Sequence, residues 1–147
     1  MVIYRWKKEL ETGIELVDQQ HLQLLIAINK LIIRRKCKND GEGIEECIRY
    51  LENYIQYHCQ TEEAYQVECQ YEKFREHQAQ HDFISTQLRF LIVNLEGSDY
   101  EDRVVEQFYA FISDWINNHL LKEDVHFAQA YRAYQEKQEI NKNVKKT

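Results

Sequence analysis

Seven side chains stand out for the chemistry they could do together: His21, His58, Glu62, His77, His81, His119 and Asp124. Six of them fall where a helical bundle ordinarily has leucine. A buried imidazole or carboxylate left without a partner costs several kcal/mol, so a fold rarely gathers this many in one core. A metal centre accounts for all of them at once. Imidazole and carboxylate ligands suit iron, although affinity alone does not exclude zinc or manganese.

Helices have to carry these groups. Proline is absent, and the four glycines mark helix ends. Gly13 precedes the first periodic run, and Gly41 and Gly43 lie in the turn Asn39-Asp40-Gly41-Glu42-Gly43. Gly97 precedes Ser98, which forms a capping-box signature with Glu101 three places on. Between these points run four apolar seams with alternating three- and four-residue spacing. The first is Val17, His21, Leu24, Ile28, Leu31, and the second is Ile44, Ile48, Leu51, Ile55, His58, Glu62. The third is Phe74, His77, His81, Ile84, Leu88, Leu91, Leu95, and the fourth is Val105, Phe108, Ile112, Trp115, His119. Each stretch of about 20 residues makes ~30 Å of helix, and short connections make successive helices antiparallel. The expected fold is all-α: an antiparallel up-down-up-down four-helix bundle with a short C-terminal helix. It forms one domain over 1–147, with an N-terminal arm over 1–13 and a polar tail over 141–147 that frays.

Antiparallel packing brings the seven groups to one place. His21 is near the start of the first helix, and His58 and Glu62 are near the end of the second. His77 and His81 are near the start of the third, and His119 closes the fourth. All of them therefore meet at the same end of the bundle. Residues four apart are rotated by about 40° and rise ~6 Å, so His77 and His81 can address one metal from successive turns, as can His58 and Glu62. Asp124 breaks this pattern. Five residues past His119, it would lie about 140° around a continuous α-helix. If Asp124 is a ligand, the chain must leave regular α-helix between Asn118 and Asp124.

The ordered set resembles the hemerythrins, in particular their bacterial branch. The resemblance begins at Trp6 and takes in Thr12-Gly13, Asp18-x-Gln20-His21-x-x-Leu24 and His58-x-x-x-Glu62-Glu63. It continues through His77-x-x-x-His81 and Trp115-x-x-x-His119-x-x-x-x-Asp124, covering roughly residues 6 to 130. It implies two iron ions joined by an oxo or hydroxo bridge. His77, His81 and His119 would bind one iron, His21 and His58 the other, and Glu62 and Asp124 would bridge them. One position is then left open, on the iron with two histidines, and there hemerythrins bind dioxygen. The resemblance surrounds that position with Leu24, Cys59, Trp115, Ile116 and Leu120 as a dry oxygen pocket. Cys59 departs from the phenylalanine usual in the family. It is expected to widen the pocket and hasten oxidation, unless Tyr65 or Phe83 fills the space. Gln66 stands near a frequent methionine, and Glu72 replaces the usual proline after Tyr71.

Composition narrows the partners. The 147 residues suit one compact domain, and a net charge of −6 with scattered basic residues gives nucleic acid little to hold. No apolar run approaches the ~20 residues of a membrane span, and Met1 to Leu10 does not read as a signal peptide. Cys37, Cys47, Cys59 and Cys69 show neither zinc nor disulfide spacing, as expected of thiols in a reducing cytoplasm. His126 has no place in the ligand set and is expected at the surface. Densely charged outer faces lead us to expect a monomer. The leading reading is non-enzymatic, reversible binding of dioxygen for storage, carriage or delivery. An oxygen or redox sensor would need a partner protein to read its state. A third class is a di-iron oxidase, peroxidase or nitric-oxide-handling enzyme; ferritin-like oxidases use two inward Glu-x-x-His pairs, and the one match here, Glu123 to His126, lies outside the four seams.

Overall fold

The computed structural model describes residues 3–36 and 41–146. Its helices are α1 (Glu15–Lys36), α2 (Gly41–Glu68), α3 (Phe74–Gly97), α4 (Asp102–Asp114) and α5 (Val125–Lys145), with a π-helical segment, Trp115–Asp124, between the last two. Helix α1 packs on α2, α2 on α3 and α3 on α4, the up-down-up-down order expected. No helix among the described residues is long and apolar enough to cross a membrane.

Two boundaries differ from the expectation. Asn39 and Asp40 lie outside the described residues, and Gly41 and Gly43 open α2 rather than belonging to the turn before it. The C-terminal helix is not short. It has 21 residues, and the stretch expected to fray is helical to Lys145, exposed from Gln135 onward. Beyond Tyr134, which packs on Tyr131, this outer half of α5 is exposed, so its sequence carries no apolar period after Tyr131. Gly97 does end α3, and the Ser98 hydroxyl accepts the Glu101 amide at 3.2 Å, although α4 starts only at Asp102.

Most of the seam residues form one large core cluster. A smaller cluster joins Ile14, Val17, Tyr71, Phe127, Ala128 and Tyr131. Val17 and Leu24 on α1 belong to different clusters, with His21 between them. Likewise Asp124 lies between Leu120 of the large cluster and Phe127 of the small one. The polar layer is thus sealed on both sides, by the main core and by a cap that α5 contributes.

The N-terminal arm is docked rather than loose. Tyr4 exchanges two hydrogen bonds with Asn29, at 2.8 and 2.7 Å. Asp18 accepts from the Thr12 amide and hydroxyl at 2.8 and 2.7 Å, fixing the entry to α1. Gly13 has φ +80°, a conformation that strains any residue with a side chain, and a Cβ there would also press on the Arg132 side chain of α5 at 3.0 Å. The outer faces are less uniformly charged than the sequence suggested, since Phe83 and Phe90 on α3 stand 63% and 66% exposed.

Candidate metal centre

The ends of the bundle helices bring all seven predicted groups together, each no more than 4% exposed. Their ligand atoms form two overlapping sets. One is Glu62, His77, His81, His119 and Asp124, and the other is His21, His58, Glu62 and Asp124, all atoms of a set lying within 4.8 Å of one another. Both carboxylates belong to both sets. Asp124 Oδ2 is 3.0 Å from His21 Nε2 and 3.3 Å from His58 Nε2. Its other oxygen, Oδ1, is 3.0 Å from His119 Nε2 and 3.2 Å from His77 Nε2. Glu62 also reaches both sets, Oε1 lying 2.6 Å from His58 Nε2 and 3.8 Å from His81 Nε2, and Oε2 3.5 Å from His77 Nε2.

The π-helical segment is what allows Asp124 to take part. In an α-helix the residue one turn on is i+4, and in a π-helix it is i+5. His119 and Asp124 therefore stand one turn apart on one face, and not on opposite sides. The helical rod itself is not broken: backbone angles at Asp114, Trp115, Asp124 and Val125 all remain right-handed helical. A wider turn, and not an interruption, carries the aspartate inward.

Hydrogen bonding does not satisfy this cluster from within. Both Glu62 oxygens, His77 Nε2 and Asp124 Oδ1 are buried with no aligned hydrogen-bond partner, even though nitrogen and oxygen approach to 2.6–3.5 Å. These atoms face common points and not one another. Nε2 of His21 and His58 are 3.1 Å apart, as are Nε2 of His81 and His119. Two donors each about 2.1 Å from one ion, at right angles, stand about 3.0 Å apart. The donor set fits a pair of metal ions.

The electrostatics agree. Burial pushes His21 below the ordinary imidazole range. Burial, with His119 and His77 beside it, takes His81 down to about 2. Neutral imidazoles offer lone pairs. Burial also raises Glu62 well above the usual carboxylate range, helped by the neighbouring Asp124. Burial alone would raise Asp124 as well, but His119, His21 and His58 outweigh it and hold its carboxyl well below that range. In the metal-free protein one acid of the pair therefore keeps a proton and the other stays ionised, as two carboxyls sharing a dry site must.

Two residues of the sequence pattern stand behind the ligands: Gln20, to which the sequence assigns no role, and Glu63, which beside Glu62 is expected to face solvent or support a ligand. The Nδ1–H of His58 donates to Gln20 Oε1 at 2.9 Å, and the Gln20 amide donates to Thr61 Oγ1 at 3.0 Å. Thr61 in turn donates to the Tyr57 carbonyl, so this relay fixes the Gln20 amide and leaves His58 Nε2 free for a metal. Glu63 holds His81 in the same way, Oε2 lying 3.3 Å from Nδ1 while Gln78 donates to its other oxygen at 2.9 Å. The available signal was polarity beside a ligand, since Gln20 is 1% exposed.

Leu24, Cys59, Trp115, Ile116 and Leu120 are all buried in the main core. Burial, with Glu62 and Asp124 nearby, raises the Cys59 thiol well above its ordinary value, so it is a neutral group. Neither proposed substitute for a ring at position 59 stands there. Tyr65 packs on Tyr131 with ring centroids 4.9 Å apart, and Phe83 is mostly exposed. Cys47, Cys59 and Cys69 are free thiols, and Cys37 lies outside the described residues. His126 is exposed, as expected, but also hydrogen-bonded to Tyr71.

A helical bundle whose end holds five imidazoles and two shared carboxylates defines a two-metal protein of the histidine–carboxylate kind. Residues 12–131 match the family model described as the hemerythrin HHE cation binding domain, and the chain belongs to the hemerythrin family. It is 30% identical over 127 residues to a bacteriohemerythrin of Clostridium acetobutylicum, covering 83% of this chain and 96% of that one. Similarity to a bacteriohemerythrin of Pseudomonas aeruginosa is 28% over 128 residues, covering 86% and 80%. A bacteriohemerythrin of Stenotrophomonas maltophilia is 25% identical over 138 residues, covering 91% and 85%. The family's cofactor is a pair of irons, and the cluster described above has the donors for it.

Proposed function

We propose that the chain binds dioxygen reversibly at its di-iron centre, as a carrier, store or delivery protein and not as an enzyme. The observation that carries this reading is the sharing of both carboxylates between a three-histidine set and a two-histidine set. In this reading His77, His81 and His119 would hold one iron and His21 and His58 the other, with Glu62 and Asp124 shared between them. The irons, when bound, would supply the electrons and the binding position for oxygen. The chain supplies the rest. Gln20 and Glu63 hold His58 and His81 with Nε2 inward. Leu24, Ile116 and Leu120 are apolar and buried, and would exclude water from the open side of the centre. The protonated Cys59 thiol and the unpartnered indole N–H of Trp115 are the two polar groups among these five pocket positions. A monomer working in the cytoplasm fits the free thiols at Cys47, Cys59 and Cys69.

The test is an absorption spectrum of the reduced, iron-loaded protein without oxygen, then with oxygen added, then after its removal. A visible charge-transfer band that comes with oxygen and goes with degassing is expected. Direct and irreversible passage to the diferric spectrum would defeat reversible binding and favour redox sensing or oxidation. Absence of any iron-dependent band would defeat the metal assignment.

A further inference from the structure

Two tyrosines in the cap beside the metal centre each have a base at the hydroxyl. Tyr71 is 7% exposed, and its hydroxyl lies 2.6 Å from Nδ1 of His126. Tyr131 is 5% exposed and donates to Glu68 Oε2 at 3.1 Å. His126 and Glu68 are both exposed. None of these four residues belongs to the ligand set. Each hydroxyl is held against its base, so losing an electron means giving its proton to that neighbour.

The rings form a path. Tyr71 stands edge-on to the ligand His77 with centroids 6.4 Å apart. Phe127 also meets His77 edge-on, at 6.1 Å, and is 5.7 Å from Tyr71 and 6.3 Å from Tyr131. Tyr131 continues to the half-buried Tyr65 at 4.9 Å and Tyr134 at 6.1 Å. All these separations fall within the ~4.5–7 Å of packed aromatic pairs. A latch between the α2–α3 turn and α5 would need one hydrogen bond. It would not need two phenols, each with its own exposed base, on a ring path from a metal ligand to the surface.

We propose that Tyr71 and Tyr131 carry oxidising equivalents away from the centre and so protect the ligands from oxidation. They act when hydrogen peroxide reacts there after both irons have been oxidised, so that its two electrons must come from the chain. This rests on the di-iron reading above. Hydrogen peroxide takes two electrons and two protons to become two waters. Tyr71 supplies one electron by way of His77, and its hydroxyl proton moves to His126 Nδ1. Tyr131 supplies the other across the Phe127 contact, and its proton moves to Glu68. Both bases release their protons to solvent, matching the two that peroxide consumes. Two phenoxyl radicals remain, and a one-electron reductant of the thiol or ascorbate class restores each with an electron and a proton. Phe127 shortens the gap and is not itself oxidised.

The experiment first oxidises the iron-loaded chain to the diferric state, then treats it with hydrogen peroxide, freezes it and records electron paramagnetic resonance, with peptide mapping of oxidised residues. A phenoxyl signal is expected in the wild type. Tyr71→Phe keeps the ring packing and should at least halve the signal, and Tyr71→Phe with Tyr131→Phe should abolish it while oxidation of His77 rises. His126→Gln accepts the same hydrogen bond but takes no proton, so it should lower the signal several-fold with an unchanged melting temperature. A full signal in the double variant, or in His126→Gln, overturns the proposal. So does a wild type that holds two irons and consumes peroxide without a phenoxyl signal, and that outcome leaves the metal centre standing. A chain that takes up no iron overturns the di-iron reading and this proposal with it.

Discussion

At the scale of single residues, burial decides which protonation state each group presents. His81 is the clearest case, taken down to about 2 by burial and by His119 and His77. The unfolded chain protonates this histidine near its ordinary value of 6.5, and the folded metal-free chain refuses the proton. The unfolded state therefore binds more protons as pH falls from 6.5, and folded stability declines by up to about 1.4 kcal/mol per pH unit from this group. His81→Gln removes that contribution. Urea titrations of the two metal-free proteins between pH 6.5 and about 4.5 should show a shallower loss of stability in the variant. Equal slopes would mean that His81 takes up its proton in the fold. Cys59 poses a different question. It is 4% exposed and neutral, in a position where the family commonly has an aromatic ring. Cys59→Phe should slow conversion of the oxygenated form to the diferric form several-fold, measured as decay of the visible band, at an overpacking cost of about 1–3 kcal/mol. An unchanged decay rate would show that the smaller side chain does not govern access to the site.

At the scale of elements, the π-helical segment determines which way Asp124 points. Deleting the exposed Lys122 turns the five-residue step from His119 into the four-residue step that an α-helix closes in one turn. The aspartate should stay on the ligand face, and the deletion variant should retain two irons per chain by metal analysis. Adding one alanine after Lys122 should swing the aspartate away and lose at least one iron. Iron retained in both variants would show that the wider turn does not set the ligand's direction. The sequence revealed this element only as a contradiction, because His119 and Asp124 could not share an α-helical face. No residue pattern announced a π-helix, since its residues are ordinary helix formers and the gain comes from the metal site. The four seams were legible because each helix buries one stripe, and the burial of Leu24, Ile55, Ile84 and Ile112 follows them. The length of helix α5 is not legible because its outer half is exposed and so needs no apolar period. The Gln20 and Glu63 contacts, like the Tyr71–His126 pair, depend on how neighbouring helices are set against each other. A single helix's spacing does not encode that.

At the scale of the whole molecule, a metal pair held by the seven side chains would be a crosslink. The candidate ligands come from α1, α2, α3 and the π-helical segment, and they fill a polar layer between the large core and the cap. Without metal, both Glu62 oxygens, His77 Nε2 and Asp124 Oδ1 stay buried and unpaired, at about 1–3 kcal/mol for each such group. A total near 5 kcal/mol would lower the melting temperature by roughly 10–20 °C in a chain of this size. The loss should also be local. The far end of the bundle is held by apolar contacts among Ile32, Ile48, Leu95 and Val105, and by Arg35, which bonds the Tyr100 carbonyl and Asp102. None of these depends on the metal. Hydrogen exchange of the chelated protein should therefore speed up around His21, His77, Asp124 and the first turns of α5, while amides near Ile32 and Leu95 keep their protection. A chelated protein that melts within a few degrees of the loaded one would mean that the cap, and not the metal, holds the ligand end closed. Uniform loss of protection would mean that the two ends fold as one unit, and that the crosslink is felt along the whole bundle.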